Sequence, residues 1–225
     1  VPFALAYTLL QVSDFDAAEL ARIDLAGITS HDAAVERIQR HSMGWSWTHE
    51  RAFAELGVAC RTLIPASEVV RRLASSAGAD EMGSPPSQRP GIDYLQQAIR
   101  EVKPQVIFFD NPAFLDAGEL ALIRALPAAP LLVTHFCAAL RPEAEANLRH
   151  YDLVLCCSPR FEDLARAQGA TTQLHYHAAP SAALELPLPP LEDRLRRACF
   201  IGSIVPGSPY HRRRLQLLRR VCRAG

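Results

Sequence analysis

Lysine is almost missing from this chain: Lys103 is the only one, and arginine supplies nearly all of the positive charge. Together with abundant alanine, this bias points to a GC-rich genome rather than to selected guanidinium chemistry. Charge of either sign is not in excess, because Lys+Arg and Asp+Glu both number 24. Nucleic acid and membrane surfaces are therefore not attracted globally. Apolar runs stay shorter than a membrane span, and the opening VPFALAYTLL has neither a basic stretch before it nor a cleavage site after it. A Gly-x-Gly-x-x-Gly after an early strand is missing, as is a P-loop lysine, which weakens a dinucleotide-dependent oxidoreductase reading. The six cysteines have no zinc or disulfide spacing. They lie mostly in apolar runs, where cysteine behaves as a small hydrophobe, and a reducing, cytoplasmic compartment suits them. Acidic residues stop at Asp193.

What remains is a chain of 225 residues with an ordinary 49% hydrophobic content, long enough to bury a core and sized for one large domain or one and a half smaller ones. It starts without methionine and stops on Arg-Ala-Gly, which gives the expectation of a fragment of a longer protein.

Along the chain, Pro2 to Leu10 reads as the first strand. Residues 14–42 carry charges at helical spacing, with a break near Gly27 to Ser30. A helix after Gly44 with Ala52, Phe53 and Leu56 on one face ends at Gly57 as its C′ residue. Val58 to Ile64 predicts a strand, and Ser67 caps a helix through Val69, Val70 and Leu73. Residues 76–90 are small, polar and proline-bearing and read as a loop. Alternation then becomes regular. A helix carrying Tyr94, Leu95, Ala98, Ile99 and Val102 precedes the strand Gln105 to Phe109. The helix 117–126 precedes the strand Pro130 to Phe136, and the helix 142–149 precedes the strand Leu153 to Cys157. A helix opened by Ser158 and Pro159 and stopped by Gly169 precedes the strand Thr172 to His177. Short apolar strands separated by helices predict an α/β fold, a Rossmann-like parallel sheet with helices on both faces. That domain spans 1–178. A proline-rich linker follows at 179–194, and 195–225 reads as the first βα unit of a second α/β domain, cut short.

The last segment, Arg197 to Leu215, predicts a strand (Ala198 to Ile201), a Gly/Ser/Pro turn, and a helix capped by Ser208 with Pro209 at its first position. A glycine-bearing turn feeding a helix presents free N–H groups to an anion such as phosphate, and Arg212, Arg213 and Arg214 add positive field. The plain alternative is a connection whose arginines sit on a solvated face, with Leu215, Leu218 and Cys222 along the opposite stripe. Open parallel sheets bind ligands beyond the carboxyl ends of their strands, which singles out Asp110, His135, Ser158 and Gly202-Ser203. His135 can act as base or hydrogen-bond donor near neutrality, or simply cap a helix or sit bonded in a rim. Asp110 can act as base or bind a hydroxyl, or bond its own backbone before Pro112. In Gly44-Trp45-Ser46-Trp47-Thr48-His49, aromatic faces can stack on sugar rings, or Trp45 and Trp47 can be core. His175 and His177 share a strand face, but a third metal ligand at a diagnostic spacing is missing.

The run CFIGSIVPGSPYHRRRLQLL resembles the strand, loop and helix that open the donor-binding domain of GT-B glycosyltransferases, in particular the group related to the spore-maturation protein CgeB. The similarity extends upstream to about Gly44 through GWSWTHERAFAELGVACRTLIP, KPQVIFFDN, YDLVLCCSPRFEDLARAQGA and QLHYHAAP. The resemblance implies a cytoplasmic, bacterial enzyme that transfers a sugar from a nucleotide-sugar donor to an acceptor hydroxyl, without metal or further cofactor. It implies donor contacts at Gly202, Ser203, Gly207, Ser208 and Arg212, acceptor contacts at Gly44, Trp45 and His49, and catalytic roles for His135 and Asp110. Such enzymes grip the donor with an acidic motif later in the second domain. The lack of acidic residues after Asp193 therefore implies that residues 1–225 alone bind donor poorly and need about one further domain to turn over. The alternative is a non-catalytic α/β module that binds a nucleotide or sugar phosphate, or a degenerate transferase remnant.

Overall fold

A computed structural model of the chain describes residues 7–15, 17–42, 45–77, 90–126, 129–176, 190, 192 and 209–224. Two compact units divide it, Val1–Pro180 and Ser181–Gly225. In the first unit, strand β1 (Thr8–Val12) leads through the short helix α1 (Ala17–Leu20), α2 (His31–Ser42) and α3 (Trp45–Glu55) to β2 (Ala59–Leu63). Helices α4 (Glu68–Ala77) and α5 (Pro90–Val102) lead to β3 (Val106–Phe109), and α6 (Ala117–Arg124) leads to β4 (Leu131–Phe136). Then α7 (Pro142–Ala146) and a 3-10 turn (Asn147–His150) precede β5 (Leu153–Cys156), and α8 (Pro159–Ala167) precedes β6 (Thr172–Leu174). In the second unit the described residues include the helix α9 (Pro209–Ala224).

These six strands pair in parallel, in the order β2-β1-β3-β4-β5-β6. The fold is α/β and Rossmann-like. The chain moves from β1 to β2 in one direction, then returns past β1 to β3 and continues outward. This reversal places the topological switch point between β1 and β3.

Strand alternation divides the side chains between two faces. Leu10, Val12, Ile107, Phe109, Leu132, Phe136, Val154 and Cys156 share one face and join Leu95 and Ile99 of α5, Leu120 of α6 and Ala165 of α8 in one core. The opposite face carries Leu9, Gln11, Phe108, Val133 and His135. Helix α3 lies on it, with His49 edge-on to Phe108 at 5.5 Å and Glu50 Oε2 accepting from Thr62 Oγ1 at 2.6 Å.

Helix ends follow local chemistry. Gly57 (φ 74°) and Gly169 (φ 82°) end α3 and α8 in the left-handed region that glycine adopts without strain. The Ser158 side chain accepts from Phe161 N, with Pro159 in the first turn of α8.

Elsewhere the structure adjusts the expectations. The first strand is Thr8–Val12 rather than Pro2 to Leu10, because Gln11 and Val12 are paired on both sides by β2 and β3; residues 1–6 lie outside the described residues. Residues 76–90 are not all loop, since α4 runs through Ala77 and α5 starts at Pro90, with 78–89 outside the described residues. The helix expected over 142–149 stops at Ala146 and tightens to a 3-10 turn, where Leu148 is fully buried and Asn147 Nδ2 donates to Leu115 O at 3.3 Å. Strand β6 ends at Leu174, so His175 sits just beyond the strand, and His177 lies outside the described residues. On α3 only Phe53 of the expected apolar face is half-buried, and Leu56 is 75% exposed. The expected linker at 179–194 and the strand Ala198 to Ile201 fall outside the described residues, apart from Pro190 and Glu192.

Candidate functional site

At the switch point β1 is followed by Ser13-Asp14 and β3 by Asp110-Asn111. Asp110 N donates to Val12 O at 3.1 Å, continuing the strand pairing by one residue. The Asp110 carboxyl is then in position to accept from Asp14 N at 2.9 Å through Oδ1, and Asn111 Nδ2 donates to Asp14 Oδ2 at 2.7 Å. The two loops are thus tied by a polar cluster whose partners are 96 and 97 residues apart. The local Asx turn falls to Asn111, whose Oδ1 accepts from Ala113 N at 2.9 Å. Asp110 itself bonds across the sheet, to Asp14.

Burial pushes the Asp110 carboxyl up to about 7. The hydrogen bond from the Asp14 amide opposes that rise, and the nearby Asp14 carboxylate adds to it. Just behind, Gln11 and Ser13 are fully buried, and the Gln11 side-chain amide has no hydrogen-bond partner among the described residues. By strand alternation both point to the α3 side of the sheet.

The loop 110–116 is braced from below. Thr134 Oγ1 donates to Phe109 O at 2.9 Å and Tyr151 OH to Pro112 O at 3.2 Å. Asp116 and Glu119 form a reciprocal capping box at the start of α6. This loop, the end of β4 and the segment after it border an open cavity of about 790 Å³ that Asp110, Asp116, His135, Arg141 and Glu143 help to line. The structure therefore brings the two candidate catalytic residues, Asp110 and His135, to one cavity.

His135 also borders a second, apolar cavity of about 200 Å³ on the α3 face, with His49, Phe53, Phe108 and His175 around it. The His135 and His175 rings meet edge to face at 6.0 Å, and His135 Nε2 lies 3.0 Å from Cys137 Sγ. Burial lowers the pKa of His49, and the charge of a protonated His175 lowers it further, so His49 favours the neutral form. His49 thus joins His135 rather than Asp110. Trp45 opens α3, while Gly44 lies outside the described residues. Of the donor-side candidates, Arg212 is exposed on α9, and Gly202, Ser203, Gly207 and Ser208 lie outside the described residues. Among the described residues, no group of three or more His, Cys, Asp or Glu side chains is placed to hold a metal ion, and no helix is long and apolar enough to cross a membrane.

Sequence reasoning missed Gln11, Ser13 and Asp14. Their signal was a glutamine inside the apolar run TLLQV, followed at once by Ser-Asp. The chain matches no protein-family model and no curated protein.

Proposed function

We propose that this chain supplies the acceptor-side domain, and the start of the donor-binding domain, of a cytoplasmic glycosyltransferase that moves a sugar from a nucleotide-sugar donor to an acceptor hydroxyl. The observation that carries the reading is Asp110. It is a carboxyl raised to about 7 by burial, at the switch point of a parallel sheet and on the wall of a cavity of about 790 Å³. A hydroxyl attacks well only as its proton leaves, and a general base works best with a pKa near the working pH. The Asp14 amide fixes the carboxyl through Oδ1, so Asp110 is oriented as well as tuned. His135 on the same cavity is assigned to the sugar being transferred.

The cavity's charge also favours an acceptor over a phosphate. Asp110, Asp116 and Glu143 line it against Arg141, and carboxylates repel phosphate while accepting hydrogen bonds from hydroxyls. The donor diphosphate is assigned to the 202–208 turn and Arg212 by the resemblance alone, through amides at a helix start.

The test is nucleoside diphosphate release by the uninterrupted gene product, with UDP, GDP and dTDP sugars and a panel of hydroxyl acceptors. Asp110→Asn is expected to lower kcat by about a hundredfold or more and to remove the limb of the pH–rate profile near 7. Release that is the same in the variant, or absent with every donor, overturns the reading and leaves a binding module.

A further inference from the structure

At the carboxyl edge of the sheet, one position past β4 and β5, two cysteines stand side by side. The β4–β5 register pairs His135 with Leu155 and Phe136 with Cys156, so the next lateral pair is Cys137 and Cys157. Cys157 N reaches Phe136 O at 3.4 Å, which continues the pairing to that point. Neighbouring strands run about 4.8 Å apart, inside the Cα separation a disulfide spans. By alternation both side chains leave the sheet on the His135 side, whereas Cys156 points into the core and is fully buried. Cys137 and Cys157 are only half-buried, so a small oxidant can reach them.

We propose that Cys137 and Cys157 form a reversible disulfide, made by exchange with a small-molecule disulfide of the glutathione class. This is independent of the transferase reading. The Cys157 thiolate attacks one sulfur of the small disulfide, whose S–S bond breaks and releases one thiolate that takes up a proton. Cys137 then gives its proton to His135 Nε2, 3.0 Å away, as its sulfur attacks Cys157 Sγ. The second small thiol leaves and is protonated. Two protein thiols are oxidised and one small disulfide is reduced to two thiols. The order follows from the environment: burial, and then the facing Cys157 thiol, hold the Cys137 thiol above its ordinary pKa, which suits the resolving partner better than the first nucleophile. Oxidation removes the thiol proton from beside His135, so the state of this pair is coupled to the imidazole at the candidate site.

The experiment equilibrates the full chain in mixtures of reduced and oxidised glutathione, blocks free thiols by alkylation, and reads intact mass and non-reduced peptide maps. A single cross-link between Cys137 and Cys157, two hydrogens lighter, retained in Cys156→Ala and lost in Cys157→Ser, is the expected result. His135→Gln should slow closure of the mixed disulfide at least several-fold without abolishing it. Circular dichroism confirms that each variant is folded. A Cys157 that stops at the mixed disulfide, a cross-link that survives Cys157→Ser, or free thiols throughout the oxidising mixtures overturns the proposal.

Discussion

Asp110 has opposite effects on stability and on chemistry. Its native pKa of about 7 lies above the ordinary 3.8, so the folded state holds the proton more tightly than the unfolded chain does. The sign follows from linkage: this residue's contribution to stability is greatest below about pH 4 and declines as pH rises through about 7. Asp110→Asn retains an acceptor for the Asp14 amide and removes the buried charge. Above about pH 8 the variant should exceed the parent in stability by on the order of 3 kcal/mol, and the gap should close toward about pH 4. Urea denaturation of both proteins at about pH 5 and about pH 8 measures this. An equal gap at both values would mean that Asp110 titrates as an ordinary exposed carboxylate.

Among the elements, α6 begins where the loop lining the larger cavity ends, at its N-cap Asp116, and its start is set by two side chains. Asp116 Oδ1 accepts from Glu119 N at 2.9 Å, and Glu119 Oε2 accepts from Asp116 N at 2.8 Å. Asp116→Ala should cost about 1 kcal/mol, while Asp116→Asn should retain most of the stability because asparagine is an equally good cap. Thermal melts of the two variants distinguish a capping effect from a loss of charge. The capping box was readable as D-x-x-E before the run ALIR. The split of the next helix at Ala146 was not readable, because it depends on the burial of Leu148 and on Leu115 O, which is distant in sequence.

For the whole molecule, the sheet's core face is keyed by Phe109. It is fully buried, stacked on Phe114 at 6.3 Å and edge-on to Tyr151 at 5.8 Å. The same side chain therefore packs the core and backs the loop that carries Asp110. Phe109→Ala should cost about 3–5 kcal/mol, a large share of the roughly 5–15 kcal/mol that holds a domain together. A loss below about 1 kcal/mol, read from denaturant midpoints, would show that the loop and helices repack around the void.

The sequence alone determined the kind of molecule. β-Branched and aromatic runs such as VIFF and LLVTHF, punctuated by Gly57, Gly169 and Ser158-Pro159, dictate strands and helix ends through local sterics and hydrogen bonding, which act over a few residues. It also marked Asp110, because a strand's carboxyl end can be read from where an apolar run stops, and His135, which the structure places within the last two residues of β4 rather than beyond it. Only the tertiary structure decided that β1 lies between β2 and β3, and hence that Asp14 meets Asp110. It likewise decided that His49 turns toward His135 and His175, and that Cys137 stands beside Cys157. Strand order and lateral register depend on how whole faces bury against one another, and local propensity carries no record of which distant strand becomes the neighbour.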